Sequence, residues 1–263
     1  MARKIVITSG KGGVGKTTIC ANLGARLAGL GFRVAILDVD IGLNNLDVVM
    51  GLENKVMFDL LDVLEGRCRL KQALVQDKRY PLLYVLPSTR FAPNKQIEAN
   101  KIKDIVDSLE YNFDYILLDC LAGIEHGFHR AVSSANEAII VVTPHISSIR
   151  DADKVVSLLN NYKLTNKYLV INRVRGDLIL NGEMFPIESI IEAMKINILG
   201  VVPEDDDIST LSSIGGFSAS LSSGRAFTLL AENLHTGTQK VFDCTNRYKG
   251  FFGSLRRNLK RKV

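Results

Sequence analysis

Short apolar runs alternate with segments of helical period along most of the chain. Lys4–Thr8 (KIVIT), Arg33–Asp38 (RVAILD), Leu82–Leu86 (LLYVL), Tyr115–Asp119 (YILLD), Ala138–Val142 (AIIVV), Tyr168–Asn172 (YLVIN) and Leu199–Val202 predict strands. Several are apolar at every position, the pattern of strands covered on both faces in a parallel sheet. Between them Ile19, Leu23, Leu27 and Leu30 share one helical face, as do Ile102, Ile105, Val106 and Leu109, and then Ala152, Val155, Val156 and Leu159. This alternation predicts an α/β fold, a doubly wound, mainly parallel sheet flanked by helices. No internal repeat or low-complexity linker divides the chain. Residues 1–245 are expected to form one domain and 246–263 a C-terminal appendage.

The first predicted strand runs into Gly10-Lys11-Gly12-Gly13-Val14-Gly15-Lys16-Thr17, followed by Thr18 and a helical face. This is G-x-x-x-x-G-K-[ST] in its strand–loop–helix setting, a phosphate loop. Glycines let backbone N–H groups converge on phosphate oxygens, and the helix N-terminus adds partial positive charge. Lys16 suits the β- and γ-phosphates, and the Thr17 hydroxyl suits Mg²⁺. ATP and Mg²⁺ are therefore the expected cofactors. Lys11 has two open readings: a lysine that reaches a phosphate bound by a partner subunit, or a solvated loop lysine.

Ligands of open α/β sheets bind at the carboxyl ends of strands. Asp38 and Asp40 follow the second predicted strand, and Asp119 ends YILLD. Asp119 and Asp38 are candidates for the metal, and Asp40 for orienting the attacking water. The alternative for each is turn or cap chemistry, where aspartate is common. Asn44 and Asn45 are plainer still. The small Ala122-Gly123 pair after Asp119 allows backbone to approach a γ-phosphate, so this segment is a candidate switch.

Composition is ordinary for a folded protein, 46% hydrophobic and 23% charged among 263 residues, which excludes wholesale disorder. No run of about 18 uncharged apolar residues is present to span a bilayer. The N-terminus lacks a secretory pattern, and the four scattered cysteines form no C-x-x-C pair, so a reduced, cytoplasmic setting is expected. The net charge of +5 resides in the tail. Seven basic and no acidic residues lie in 245–263, leaving 26 basic against 28 acidic residues, or −2, for the rest. A nucleic-acid binder would spread basic charge over its folded face, so no specific nucleic acid is expected.

The tail reads YKGFFGSLRRNLKRKV from Tyr248. Phe251, Phe252, Leu255 and Leu259 fall on one side at helical spacing, while Arg256, Arg257, Lys260, Arg261 and Lys262 occupy most of the rest. This predicts an interfacial amphipathic helix that folds on lipid. Full burial of a large apolar side chain yields about 1.5–3 kcal/mol, and a basic residue near an anionic leaflet about 1 kcal/mol. Interfacial burial is partial and helix ordering opposes it, so one tail should bind weakly. Two tails on one dimer should gain about 10²–10⁴-fold from effective concentration. The alternative is a disordered basic tail or one that binds nucleic acid.

Taken together, K-G-G-V-G-K-T-T, D-V-D-I-G-L-N-N-L-D and D-x-x-A-G-I-E resemble the deviant Walker A ATPases, most closely those of the bacterial Min division-site system. The likeness continues through Ser147–Asp153, Val202–Asp205 and the basic tail. It implies a homodimer when ATP is bound, with Lys11 crossing to the other subunit's phosphates. It implies that Asn172, Arg173 and the Pro203, Glu204, Asp205 loop lie beside the adenine. It also implies that the helix bearing Asp151 and Asp153 binds division-inhibitor and ATPase-activator proteins. The location implied is the inner face of the cell membrane, as a peripheral protein. One departure stands out: Leu121 occupies a position where the family usually has proline, which bears on the rigidity of the switch segment. Three rivals remain at this stage: a DNA-partitioning ATPase, an iron–sulfur carrier of the same loop type, and a nucleotide-held scaffold with weak hydrolysis.

Overall fold

The computed structural model of the chain describes residues 1–41, 45–89, 98–205, 222–250 and 253–254. At its centre lie β1 Arg3–Thr8, β2 Val34–Asp38, β3 Val75–Gln76, β4 Leu83–Leu86, β5 Tyr115–Asp119, β6 Glu137–Val142, β7 Asn166–Val174 and β8 Asn197–Pro203. They form one sheet in the order β3-β4-β2-β5-β1-β6-β7-β8. All pairings are parallel except that of β3 with β4. The seven predicted strands are all present. The antiparallel edge β3 was not predicted, because two residues carry no readable period.

The helices among the described residues are α1 Lys16–Gly29, α2 Leu46–Val49, α3 Leu60–Leu64, α4 Leu70–Ala73, α5 Ala99–Leu109, α6 His126–Ser133, α7 Ile146–Leu159, α8 Gly176–Leu180, α9 Ile187–Met194 and α10 Ser223–Thr236. They cover both faces of the sheet. Side chains alternate along each strand, so β1 sends Ile5 and Ile7 to one core, shared with Ile19, Leu23 and Leu27 of α1 and Phe227 and Leu230 of α10. Its Val6 enters the other core, with Ile102 and Val106 of α5, Phe128 of α6 and Val155 of α7. Two filled cores explain why β2, β5 and β6 are buried at every position.

All four residues of the predicted α5 face are buried. On α1 the face ends one turn early: Leu30 is the C-cap and is 45% exposed. Farther on, a 3₁₀ turn at Asn246–Tyr248 packs on α8, burying Tyr248. The folded body therefore includes Tyr248, which the sequence places in the appendage. Phe251, Phe252, Leu255, Arg256, Leu259 and Lys260 lie outside the described residues, as does Asn44. No helix among the described residues is long and apolar enough to cross a membrane.

In this strand order β1 lies between β5 and β6; the connection from β1 runs to β2 on one side, and that from β6 runs to β7 on the other. A crevice opens at the carboxyl ends of the strands where connections diverge in this way. The phosphate loop follows β1 into that crevice.

Candidate functional site

The loop Gly10–Gly15 carries two left-handed glycines, Gly13 at φ 76° and Gly15 at φ 95°, and Gly15 is the N-cap of α1. A side chain at either would strain the backbone, and one at Gly15 would meet the Asn172 amide at 2.4 Å. Gly10 serves a different end. A Cβ there would lie 2.2 Å from the Asp151 carbonyl carbon, so this glycine lets the loop touch the backbone of α7. Gly12 faces open space. Val14 is buried, and Thr17 and Thr18 open α1 half-buried.

Lys16 is buried, and burial lowers its pKa against the pull of nearby Asp119 and Asp40. Its Nζ donates to Ser9 Oγ at 3.1 Å. Lys11 is exposed, and its Nζ donates to Ser147 Oγ, on the first turn of α7, at 3.3 Å. The two loop lysines thus occupy different places, one inside the loop and one at its rim.

Parallel pairing sets Asp38 and Asp119 side by side at the ends of β2 and β5. Both are buried. Asp38 accepts from the Asp40 N–H at 3.0 Å and the Leu46 N–H at 3.4 Å. Burial, reinforced by Asp119, raises its pKa well above the usual carboxylate range. Burial likewise raises Asp119 to about 6, against the Thr17 hydroxyl and Lys16, which hold it down. Asp40 is also raised by burial and restrained by Lys16. Two buried carboxylate oxygens, Asp40 Oδ1 and Asp119 Oδ1, have no hydrogen-bond partner. Buried oxygens of this kind are costly unless something pairs with them.

This donor set fits Mg²⁺, which takes one or two carboxylates and a hydroxyl and completes its shell with water and substrate phosphates. Among the described residues no three His, Cys, Asp or Glu side chains cluster into a self-sufficient metal cage. His129 bonds the Tyr162 hydroxyl. The four cysteines are free, and three are buried.

Beyond the loop lies a cavity of about 320 Å³, lined in part by Lys11, Gly13, Arg173, Arg175 and Glu204. Arg173 enters it from a bulge in β7, at a left-handed φ of 57°. Glu204, just past β8, donates its N–H to the Val174 carbonyl at 3.0 Å. Pro203 ends β8, and Asp205 accepts from the Ser222 hydroxyl at 3.1 Å. Asn172 is buried, and its amide donates to the Val14 carbonyl at 2.8 Å. The adenine contact implied for Asn172 is thus preceded by another duty, bracing the loop from β7.

Asp151 and Asp153 lie on α7, the first paired with Lys154 at 3.2 Å and the second exposed. In the switch segment, the Gly123 N–H donates to the Ser9 carbonyl at 3.1 Å, with Gly123 at φ 90°. Leu121 is half-buried beside Gly127 of α6. Sequence reasoning missed Ser9, which touches Lys16, Lys11 and the switch segment. It also missed the braces made by Asn172 and Gly10. All of these are contacts across the fold that spacing along the chain does not reveal.

Comparison with known proteins gives the site a context. Residues 5–215 match the family model of the CobQ/CobB/MinD/ParA nucleotide binding domain. The septum site-determining protein MinD of Bacillus subtilis is 50% identical over 217 residues, covering 82% of this chain and 81% of that protein. Among solved structures, MinD in a MinC:MinD cell division complex from Aquifex aeolicus is 42% identical, with a TM-score of 0.84 over 90% of this chain and 97% of that one. The septum site-determining MinD of Pyrococcus horikoshii, solved with Mg-ADP, is 32% identical, with a TM-score of 0.80 over 89% of this chain and 96% of that one.

Proposed function

The chain belongs to the CobQ/CobB/MinD/ParA nucleotide-binding family, in its septum site-determining MinD branch, and from that premise we propose that it is an ATP-driven membrane switch. It is an ATPase whose cofactors are ATP and Mg²⁺. In the proposed cycle ATP joins two copies face to face, the paired tails seat the dimer on an anionic cytoplasmic leaflet, and the helix bearing Asp151 and Asp153 receives a division inhibitor. An activator protein then speeds hydrolysis and releases monomers. The inhibitor partner is supported by the MinC:MinD assembly of the Aquifex relative.

The residues have separable tasks. Loop N–H groups and the N-terminus of α1 bind phosphate oxygens, and Lys16 neutralises them from within. Thr17, Asp38 and Asp119 would hold Mg²⁺, which supplies charge neutralisation on the phosphates when bound. Asp40, with an unpaired buried oxygen, accepts a hydrogen bond from the attacking water and orients it. Arg173 and Glu204 line the cavity beyond the loop, and in this proposal they receive the base together with the neighbouring Asn172 and the Pro203–Asp205 turn.

The observation that carries the dimer is the division of labour between the lysines. Lys16 is buried inside the loop, while Lys11 stands exposed at the rim beside Ser147. A cation there is available to the phosphates of a second copy. The near-neutral body argues against the DNA-partitioning alternative, because a duplex binder needs several phosphate contacts on its folded face.

Sedimentation with anionic vesicles tests the proposal. The full chain should pellet with ATP and Mg²⁺ and stay largely in solution with ADP. A chain ending before Gly250 should stay in solution with either. Equal pelleting of the full chain in both nucleotides contradicts the switch.

A further inference from the structure

Ser9 connects three parts of the site that hydrolysis must coordinate. Its side chain is wholly buried at the end of β1. The hydroxyl accepts from Lys16 Nζ at 3.1 Å and donates to the Lys11 carbonyl at 2.8 Å. Its carbonyl accepts from the Gly123 N–H of the switch segment at 3.1 Å. Because its one proton is spent on the Lys11 carbonyl, the hydroxyl presents a lone pair to the ammonium.

The alternative available to Lys16 explains why this matters. A buried ammonium needs an acceptor. Asp119 and Asp40 lie close enough for their charges to act on it, and each carries a buried oxygen without a partner. A direct ion pair with either carboxylate would satisfy both groups at once. It would also place the lysine across the positions of the metal and the attacking water. Among the described residues Lys16 makes no such pair; its acceptor is Ser9.

We propose that Ser9 is a positioning residue for hydrolysis: its hydroxyl holds the Lys16 ammonium in the phosphate-binding posture and off the carboxylates of Asp40 and Asp119. The nucleotide then finds the lysine in place and the metal site open. This inference rests on the phosphate-loop reaction alone, so its failure leaves the membrane cycle untouched.

Equilibrium binding of a ribose-labelled fluorescent ATP, titrated against Mg²⁺, provides the test. Ser9→Ala should bind the Mg²⁺ complex about tenfold more weakly, about the effect of losing one hydrogen bond to a charged group. Half-saturation by Mg²⁺ should move up by a similar factor. Ser9→Thr, which restores the hydroxyl, should return to within about threefold of the parent. In an Asp40→Asn/Asp119→Asn background, compared with the parent carboxylates using ATP without Mg²⁺, both competitors are gone, so the penalty of Ser9→Ala should shrink to under about threefold. Affinity and Mg²⁺ dependence unchanged in Ser9→Ala overturn the proposal. An equally large loss with or without the two carboxylates also overturns it, because a residue that only packs would behave that way. Should Ser9→Ala not fold, Ser9→Cys carries the same expectations, since a thiol fills the space but accepts weakly.

Discussion

At the amino ends of the strands, charges are matched within the chain. Arg3 grips Glu137 with two bonds of 2.7 Å, Lys4 pairs with Asp107 at 2.7 Å and Glu110 at 2.8 Å, and Tyr115 bonds His235 at 3.0 Å. At the carboxyl ends of the same strands, Asp40 and Asp119 keep unpaired oxygens, Lys16 leans on a neutral hydroxyl, and Gly13, Gly15, Gly123 and Arg173 hold left-handed conformations. One sheet thus has a self-contained end and an end incomplete without a ligand. Arg3 and Lys4 are partly exposed while Lys16 and Asp38 are buried, yet Glu137 at the amino end lies as deep as Asp119 at the carboxyl end, so burial alone does not separate them. What separates them is whether buried polar groups find partners inside the protein.

The comparison can be broken at its stable end first. Arg3→Ala leaves the Glu137 carboxylate buried beside neutral neighbours, the Asn166 amide at 3.4 Å and the Tyr168 hydroxyl. Removing one partner of a buried pair costs about 3–5 kcal/mol. The melting temperature should fall by about 10 °C, while ATP turnover per folded molecule stays unchanged. A loss of turnover without loss of stability would place chemistry at the wrong end.

Next comes the incomplete end. Lys16→Ala should reduce ATP hydrolysis by at least about 10²-fold, the scale of losing one preorganised charge at a developing anion. It should also remove a buried ammonium, so the nucleotide-free protein should be no less stable. Single-turnover phosphate release and a melting curve check the two halves.

A smaller effect, opposite in sign, is expected at Asp119. Its pKa rises from an ordinary carboxylate value to about 6 in the fold, so the folded chain binds more protons than the unfolded one between those values. Stability from this group is present at low pH and is lost as pH climbs toward 6. Asp119→Asn should therefore raise the melting temperature of the metal-free protein at pH 8 by several degrees, with up to about 3 kcal/mol available. The advantage should disappear by pH 4–5, and Mg²⁺-dependent stabilisation by ATP should be lost. Melting curves across that range check both.

The two ends also differ in how much of them was legible. The strands of both could be read because two-sided burial makes β2, β5 and β6 continuous apolar runs. The phosphate loop could be read because its glycines, Lys16 and Thr17 are contiguous. Asp38 and Asp119 could be read as residues that end apolar strands, and the register then set them side by side. The bracing could not be read. Asn172 reaches Val14 across 158 positions, and Gly10 is required by the backbone of Asp151 rather than by phosphate. The matched charges of the amino end were equally hidden, since Arg3 and Glu137 meet only through the pairing of β1 with β6. Leu30 was misplaced because the helix stops before the apolar period does.

The central claim is that a triphosphate at the incomplete end joins two copies of the chain, with Lys11 completing the other copy's site. Sedimentation equilibrium of the tailless body with ATP and Mg²⁺, with ADP and Mg²⁺, and with a Lys11→Ala variant measures that directly. The account predicts a dimer of the parent with ATP only, and a monomeric Lys11→Ala in either nucleotide. A Lys11→Ala body that pairs as tightly as the parent with ATP would contradict it.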